Sequence, residues 1–388
     1  MEVCDSSSRS RLVDDLIPTI LNHLAADFGQ RFVATLALVS SAWLRPARRT
    51  LYASPTVSTY HACYLLSRTL SDTPDLRDRI HTLHLHPVSR TCEAGTMCAC
   101  KSDHTIALGL APIFRLPNLE AISLSCDCAI HAQRYLRSFT FPGNVREICV
   151  EGMQWHWSFQ ACHPVSASLC WSDTLAFRFP NLKRLKLVNL DLSIYESRAF
   201  ESKSPYIESL HLERVKIIDG KLSDLARNAW GDLQDIALTV TEYSSQFDLH
   251  TILFGVAQSL RTLKYFVKED NSQYDLSALI GEDALASCST LRDLYLSMPF
   301  TSSILLKLGR RLTRLEVLKV YDNYELSVQD WARVISANAF PNLCELHLPI
   351  GHELRRLAEW QWSSQDTKGV RQACAARSIE LQFAYLAV

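Results

Sequence analysis

Seven side chains suited to metal chemistry gather in one stretch of the sequence: Cys92, Cys98, Cys100 and His104, then Cys126, Cys128 and His131. Thiolates and imidazoles are the donors that zinc prefers. The second group directly follows a pattern that reads as a strand. The first occupies the long stretch after the neighbouring strand pattern, so adjacent units would bring the two together. Two facts weigh against a metal. The thiols stand as Cys-x-Cys rather than the commoner Cys-x-x-Cys, and a reducing compartment leaves free thiols common. No metal and no other cofactor is therefore assigned. Other chemistry is no easier to place. The 388 residues hold 12 glycines, with no Gly-rich phosphate loop ending in Lys, no Gly-x-Ser-x-Gly turn and no His-Glu-x-x-His pair. No catalytic residue is assigned, and the chain reads as a non-enzyme.

Composition narrows the partners. Lys and Arg number 40 against 41 Asp and Glu, a formal charge of −1, so no basic excess points to nucleic acid or an anionic membrane surface. Hydrophobic residues make up 47% and charged residues 21%, a balance that can bury a large core. No apolar run is long enough to span a bilayer. Residues Met1–Arg11 are polar and Ser-rich, without the apolar centre of a secretory signal. The expectation is a cytoplasmic or nuclear protein whose 13 cysteines serve mostly as small buried hydrophobes.

The elements that would position any site are set by a repeat. A pattern of apolar, two variable, apolar, one variable, apolar recurs ten times, as in Leu182-x-x-Leu185-x-Leu187 and Leu291-x-x-Leu294-x-Leu296. The copies begin at residues 80, 119, 145, 182, 207, 233, 260, 291, 315 and 343, and Ile379-x-Leu381 is a shorter echo. The closing alternation predicts a short strand with one buried face. Leu116-Pro117-Asn118, Phe179-Pro180-Asn181 and Phe340-Pro341-Asn342 mark turns into strands, because Pro cannot continue a helix. Between strands, helical spacing places Leu222, Leu225, Ala226 and Ala229 on one face, then Leu249, Ile252, Leu253 and Val256, then Trp331, Val334 and Ile335. Stacked units of this kind bury a continuous core between a strand layer and a helix layer. The spacing, mostly inside or near 20–29 residues, resembles the leucine-rich-repeat family in an irregular form.

Residues 12–53 follow helical rather than strand periodicity. Leu16, Ile17, Ile20, Leu21 and Leu24 form one stripe, with Asp14 or Asp15 placed as a cap. Phe32, Leu36 and Val39 form a second, and Ser40 or Ser41 can cap a third segment in which Pro46 should force a restart or kink. The run Leu36-Ala37-Leu38-Val39-Ser40-Ser41-Ala42-Trp43, preceded by Leu12-Val13-Asp14-Asp15-Leu16-Ile17 and followed by Ala47-Arg48-Arg49-x-Leu51-Tyr52, resembles an F-box. Val13 and Asp15 replace the usual Pro and Glu of its opening. The stretch from Leu65 to Pro74 is similar to the linker helix of fungal F-box proteins with leucine-rich repeats.

The resemblance implies an α/β chain, a three-helix F-box followed by an irregular right-handed leucine-rich-repeat solenoid, or horseshoe. Its parts would be a disordered N-terminus (1–11), the F-box (12–53), linker helices (54–78) and the solenoid with a C-terminal cap (79–388). It implies the substrate receptor of a Skp–cullin–F-box ubiquitin ligase, with the chemistry left to partners. By match to the motif, Leu12, Val13, Ile20, Leu36, Val39 and Trp43 would contact the Skp adaptor and, through it, cullin. The same residues admit another reading, in which they only fold the bundle and cap a leucine-rich-repeat interaction scaffold that never engages the adaptor.

Residues between the buried positions of each strand project to the opposite face. In the later units that face gathers Lys264, Phe266, Tyr295, Lys319 and Tyr321, a mix of cations and aromatics typical of interface anchors, and these are the candidate contacts for an unknown protein substrate. An ordinary solvated face with scattered aromatics is the plain alternative. An aromatic insertion, Trp155, Trp157, Phe159, Trp171 and Phe177, either packs on the helix side or forms a binding lip, with packing favoured. Trp360 and Trp362 are expected to cover the last repeat.

Overall fold

The computed structural model describes residues 16–21, 23–24, 30–87, 110–153, 166–195, 206–226, 231–240, 248–267, 280–298, 300–321, 326–349 and 364–384. It is a mixed α/β chain built on parallel strand pairing, and it divides into two units, Met1–Ala167 and Ser168–Val388. Leu12 and Val13, the capping candidates Asp14 and Asp15, the thiols Cys92, Cys98 and Cys100, His104, and Trp155, Trp157, Phe159, Trp360 and Trp362 lie outside the described residues.

The first unit opens with helices α1 (residues 16–21), α2 (Gln30–Leu36) and α3 (Ser41–Ala53). Their core is Ile17, Leu21, Val33 and Ala47, with Leu36, Ala37, Trp43 and Leu51 packed around it. Ile17 and Leu21 are four apart and so lie on one helical face. Ser40 holds the N-cap position of α3 in extended backbone, but its side chain makes no capping hydrogen bond. Of the restart or kink expected at Pro46, the restart is not found, and α3 runs on through it. Pro46 stands early in the helix and removes one hydrogen bond, to the carbonyl of the exposed Ala42, which water can satisfy.

Strand β1 (Thr56–Val57) and helix α4 (Tyr60–Asp72) follow, the helix capped by Thr59 Oγ1, which accepts from the Ala62 N–H at 3.1 Å. Strands β2 (Thr82–Leu85), β3 (Ala121–Ser125) and β4 (Glu147–Glu151) continue from β1 in chain order, all parallel. Helices α5 (Asp127–Ile130) and α6 (Ala132–Ser138) follow β3. No repeat motif announces β1, because a two-residue strand is too short to carry one.

In the second unit, β6 (Arg184–Val188), β8 (Ser209–Glu213), β10 (Asp235–Val240), β11 (Thr262–Val267), β12 (Asp293–Ser297), β13 (Val317–Tyr321), β14 (Glu345–Pro349) and β15 (Glu380–Ala384) pair in that order, again parallel. The repeat sets the register. Leu185, Leu210, Ile236, Leu263, Leu294, Leu318 and Leu346 form one cross-strand row, and Leu187, Leu212, Leu238, Tyr265, Leu296 and Val320 the next. Both rows are buried. Each such side chain contributes about 1.5–3 kcal/mol on burial, and a one-residue slip would turn a whole strand's set to solvent.

Helices α7 (Asp173–Ala176), α8 (Leu222–Ala226), α9 (Leu249–Gly255), α10 (Glu282–Ser287), α11 (Ser302–Arg311), α12 (Val328–Ser336) and α13 (Ser364–Ala376) complete the second unit's described helices. Leu222 and Leu225 are buried, as are Leu249, Ile252, Leu253 and Val256, and Trp331, Val334 and Ile335, the faces that the spacing predicts. The side chain of Ala226 and all of Ala229 lie outside the described residues.

The asparagines at the strand entries have a specific task. In consecutive units, Asn118 Nδ2 donates to the Asp78 carbonyl at 2.8 Å and Asn144 Nδ2 to the Pro117 carbonyl at 2.6 Å; Asn342 Nδ2 reaches the Thr313 carbonyl at 2.6 Å. Each ties a turn to the equivalent turn of the unit before it.

A second sheet, β5 (Ala167–Ser172), β7 (Leu190–Tyr195) and β9 (Lys216–Asp219), is ordered β5-β7-β9 and has no counterpart in the repeat. Trp171, from the aromatic insertion, is buried within β5. Gly220 closes β9 at φ +81°, where an added Cβ would lie 2.2 Å from the Ile194 carbonyl oxygen, so only glycine fits.

Candidate functional site

Two surfaces collect the residues singled out in the sequence. On the N-terminal helices, the connection between α2 and α3 is a tight turn in which the Leu38 N–H donates to the Thr35 carbonyl and the Val39 N–H to the Leu36 carbonyl, each at 3.1 Å. Ser40 then turns extended, and its carbonyl accepts from Trp43 and Leu44. This geometry leaves Leu38 and Val39 at the tip, 85% and 64% exposed. Ile20, Leu16, Phe32 and Leu44 add further exposed apolar side chains. Of the six motif positions, Ile20 and Val39 face solvent, whereas Leu36 and Trp43 pack against the bundle core. Leu38, inside the motif but not among the six, is the most exposed of these side chains. Helical periodicity does not mark it, because it sits in the turn rather than on a helix face.

The second surface lies on the outward face of the second unit's sheet and is buried at its β14 end, at the position of His347. Register places Lys186, His211, Ala237, Lys264, Tyr295, Lys319 and His347 in one row across β6, β8 and β10 to β14. Tyr295 stands between two ammonium groups, Lys264 Nζ 4.8 Å and Lys319 Nζ 5.4 Å from its ring centre. Phe266 and Tyr321, two residues beyond Lys264 and Lys319 on their strands, approach to 5.8 Å between ring centres. All five residues expected here are thus brought together. The sequence did not single out their partners Glu345 and His347. Lys319 Nζ donates to Glu345 Oε1 at 2.9 Å, and His347 Nε2 bonds the same carboxylate. Both occupy variable positions of the repeat, so the register alone could have found them.

Electrostatics follows this geometry. Hydrogen bonding from Lys319 holds the Glu345 carboxyl below the usual range, helped by His347 and opposed by burial. Burial pulls the Lys319 ammonium down, but the hydrogen bond to Glu345 and the nearby Tyr295 and Glu345 raise it overall. Burial raises the Tyr295 and Tyr321 phenols, keeping both neutral. Burial, then Lys186, lowers the His211 imidazole; Lys264 acts the same way and Glu213 opposes.

The thiol and imidazole group is described only in its second half. Cys128 is buried and its thiol is pushed up by burial; Cys126 is half-buried and raised for the same reason. Nearby Cys63 is pushed up to about 11 by burial. Among the described residues no group of three or more His, Cys, Asp or Glu is arranged to hold a metal ion. Asp127, between the two cysteines, instead accepts a 2.9 Å hydrogen bond from Tyr60.

No helix among the described residues is long and apolar enough to cross a membrane. Compared with protein-family models and with curated proteins, the chain matches none.

Proposed function

We propose that the chain is the substrate-recognition subunit of a Skp–cullin–F-box ubiquitin ligase, with α1 to α3 as an F-box and the parallel strands with their helices as an irregular leucine-rich-repeat solenoid. The observation that carries this reading is the exposure of Leu38 and Val39 at the tip of a small helical bundle, inside the Leu-x-x-Val-Ser-x-x-Trp run. Contiguous exposed aliphatics are costly unless a partner covers them, and the turn presents them for helix-on-helix docking on the Skp adaptor. Ile20 extends the same contact, while Leu36 and Trp43 support it from within. The solvent face around Tyr295 receives the protein to be modified. Ubiquitin transfer belongs to the partners reached through cullin, so the chain itself is not an enzyme. Its place of work is the cytoplasm, the nucleus or both.

The test is co-purification of the full chain with the Skp adaptor, comparing wild type with the double variant Leu38→Asp, Val39→Asp. Both positions are exposed, so the fold should tolerate the change. Wild type is expected to retain the adaptor and the variant to lose it. Failure of folded wild-type protein to retain the adaptor would overturn the reading and leave a leucine-rich-repeat interaction scaffold.

A further inference from the structure

The lysines in the outward row of the second unit's sheet narrow the class of substrate, an inference that rests on the reading of this face as a substrate surface. We propose that the notch over Ala237 receives a carboxylate side chain from an extended acidic peptide segment, between His211 and Lys264, and that an apolar residue two places along the segment packs against Phe266.

The notch follows from the register. Ala237 lies between His211 on β8 and Lys264 on β11, and these neighbours stand two strand spacings apart, about 10 Å. Only a methyl group fills the space between them. A carboxylate there would draw the Lys264 ammonium, 4.8 Å from the Tyr295 ring centre, back across Ala237, beside His211, whose Nε2 lies 3.8 Å from Glu213. Thr239, the next outward residue of β10, pairs with Phe266. Residues i and i+2 of an extended peptide are about 7 Å apart on one face, the spacing between Ala237 and Thr239.

Charge complementarity points the same way. The contacts between basic side chains and carboxylates on this face among the described residues join Lys319 and His347 to Glu345, and Arg214 and His211 to Glu213. Neither Lys264 nor Lys186 is in one of them. Burial first, then Lys186 and Lys264, lowers the His211 imidazole, so Lys264 rather than His211 supplies the positive charge beside Ala237. The row two residues nearer the strand starts carries Asp235, Asp293 and Glu345, with Arg184 at its β6 end, and its carboxylates oppose a doubly charged ligand more than a singly charged one. The Lys186 to His347 row holds no arginine, the residue whose fork suits phosphate. These features select a carboxylate over a phosphate.

The probe is a fluorescent peptide, three repeats of Glu-Ser-Phe-Ser, titrated with the full-length protein and read by anisotropy. Matched peptides carry Ser or phosphoserine in place of Glu. Lys264→Glu reverses the key charge, and Ala237→Phe fills the notch without changing charge; circular dichroism checks the fold of each. Lys216→Glu, on β9 of the other sheet, is the control. The Glu peptide should bind, and each of the first two variants should weaken it by about tenfold or more, with Lys216→Glu like wild type. Equal binding of the Ser peptide, tighter binding of the phosphoserine peptide, or wild-type affinity in both Lys264→Glu and Ala237→Phe would overturn the proposal. Adaptor co-purification of the same proteins separates the two readings. Adaptor retention without Glu-peptide binding in wild type sinks this proposal alone. Peptide binding that depends on Lys264 and Ala237, in protein that never retains the adaptor, supports it while the ligase reading falls.

Discussion

On the N-terminal helices, large aliphatic side chains face solvent above a core of four small or medium residues, Ile17, Leu21, Val33 and Ala47. On the second unit's sheet, the outward residues are cationic, aromatic and acidic, and they stand above an unbroken row of buried leucines and isoleucine. The first surface offers area without hydrogen-bond direction, which suits a permanent, apolar partner. The second combines aromatic rings with several directed charges, which suits selection among partners. The physical difference lies beneath. A ladder fixed by many parallel hydrogen bonds holds side chains from distant sequence positions in register, whereas a short turn between two helices can only present neighbours.

That contrast can be broken at several points. The largest effect should come from the ladder: Leu294→Ala is expected to cost about 3 kcal/mol in denaturant unfolding, against no more than about 0.5 kcal/mol for Leu38→Ala on the exposed turn. Similar losses at both sites would mean that Leu38 belongs to the core and is unavailable for docking. Next, Lys319→Ala should cost about 1–2 kcal/mol, because it leaves the half-buried Glu345 with His347 as its remaining partner. Indifference to this change would show that the Lys319–Glu345 pair is a solvated contact and would weaken the case for a preorganised surface.

Ser327 Oγ accepts from the Asp330 N–H at 3.1 Å while Asp330 bonds back to the Ser327 N–H, closing a capping box on α12. Ser327→Ala should therefore lower stability by about 1 kcal/mol in the same assay. The smallest effect is in pH. The Glu345 carboxyl titrates lower in the folded chain than in the unfolded one, so its contribution is complete above the ordinary carboxylate range and is lost as pH falls through the folded value. Urea unfolding between pH 6 and 3 should show a shallower acid loss in Glu345→Gln than in wild type. Parallel curves would place Glu345 outside the network.

Much of the fold is legible before any coordinates. The apolar pattern at Leu291, Leu294 and Leu296 states which residues of a strand are buried, because two-residue alternation has no other stable reading in a parallel sheet. The spacing of Trp331, Val334 and Ile335 does the same for α12. The β5-β7-β9 sheet escapes because it obeys no repeat, although Leu190, Leu192 and Ile194 alternate with Asp191 and Ser193 and carry the ordinary signal of a strand. The restart expected at Pro46 does not occur because a helix tolerates the loss of one hydrogen bond near its start when the freed carbonyl reaches water.

The sequence by itself determined the buried rows, the helix faces and the set of residues that must point outward, since these follow from local periodicity. Tertiary structure alone decided which outward residues meet. Lys264, Tyr295 and Lys319 are separated by 31 and 24 residues in the chain, and only parallel pairing of β11, β12 and β13 puts them side by side. It also decided that Leu36 and Trp43 turn inward while Leu38 and Val39 turn outward. Short apolar helices carry more apolar faces than one small core can cover, and the packing of the three helices chooses among them.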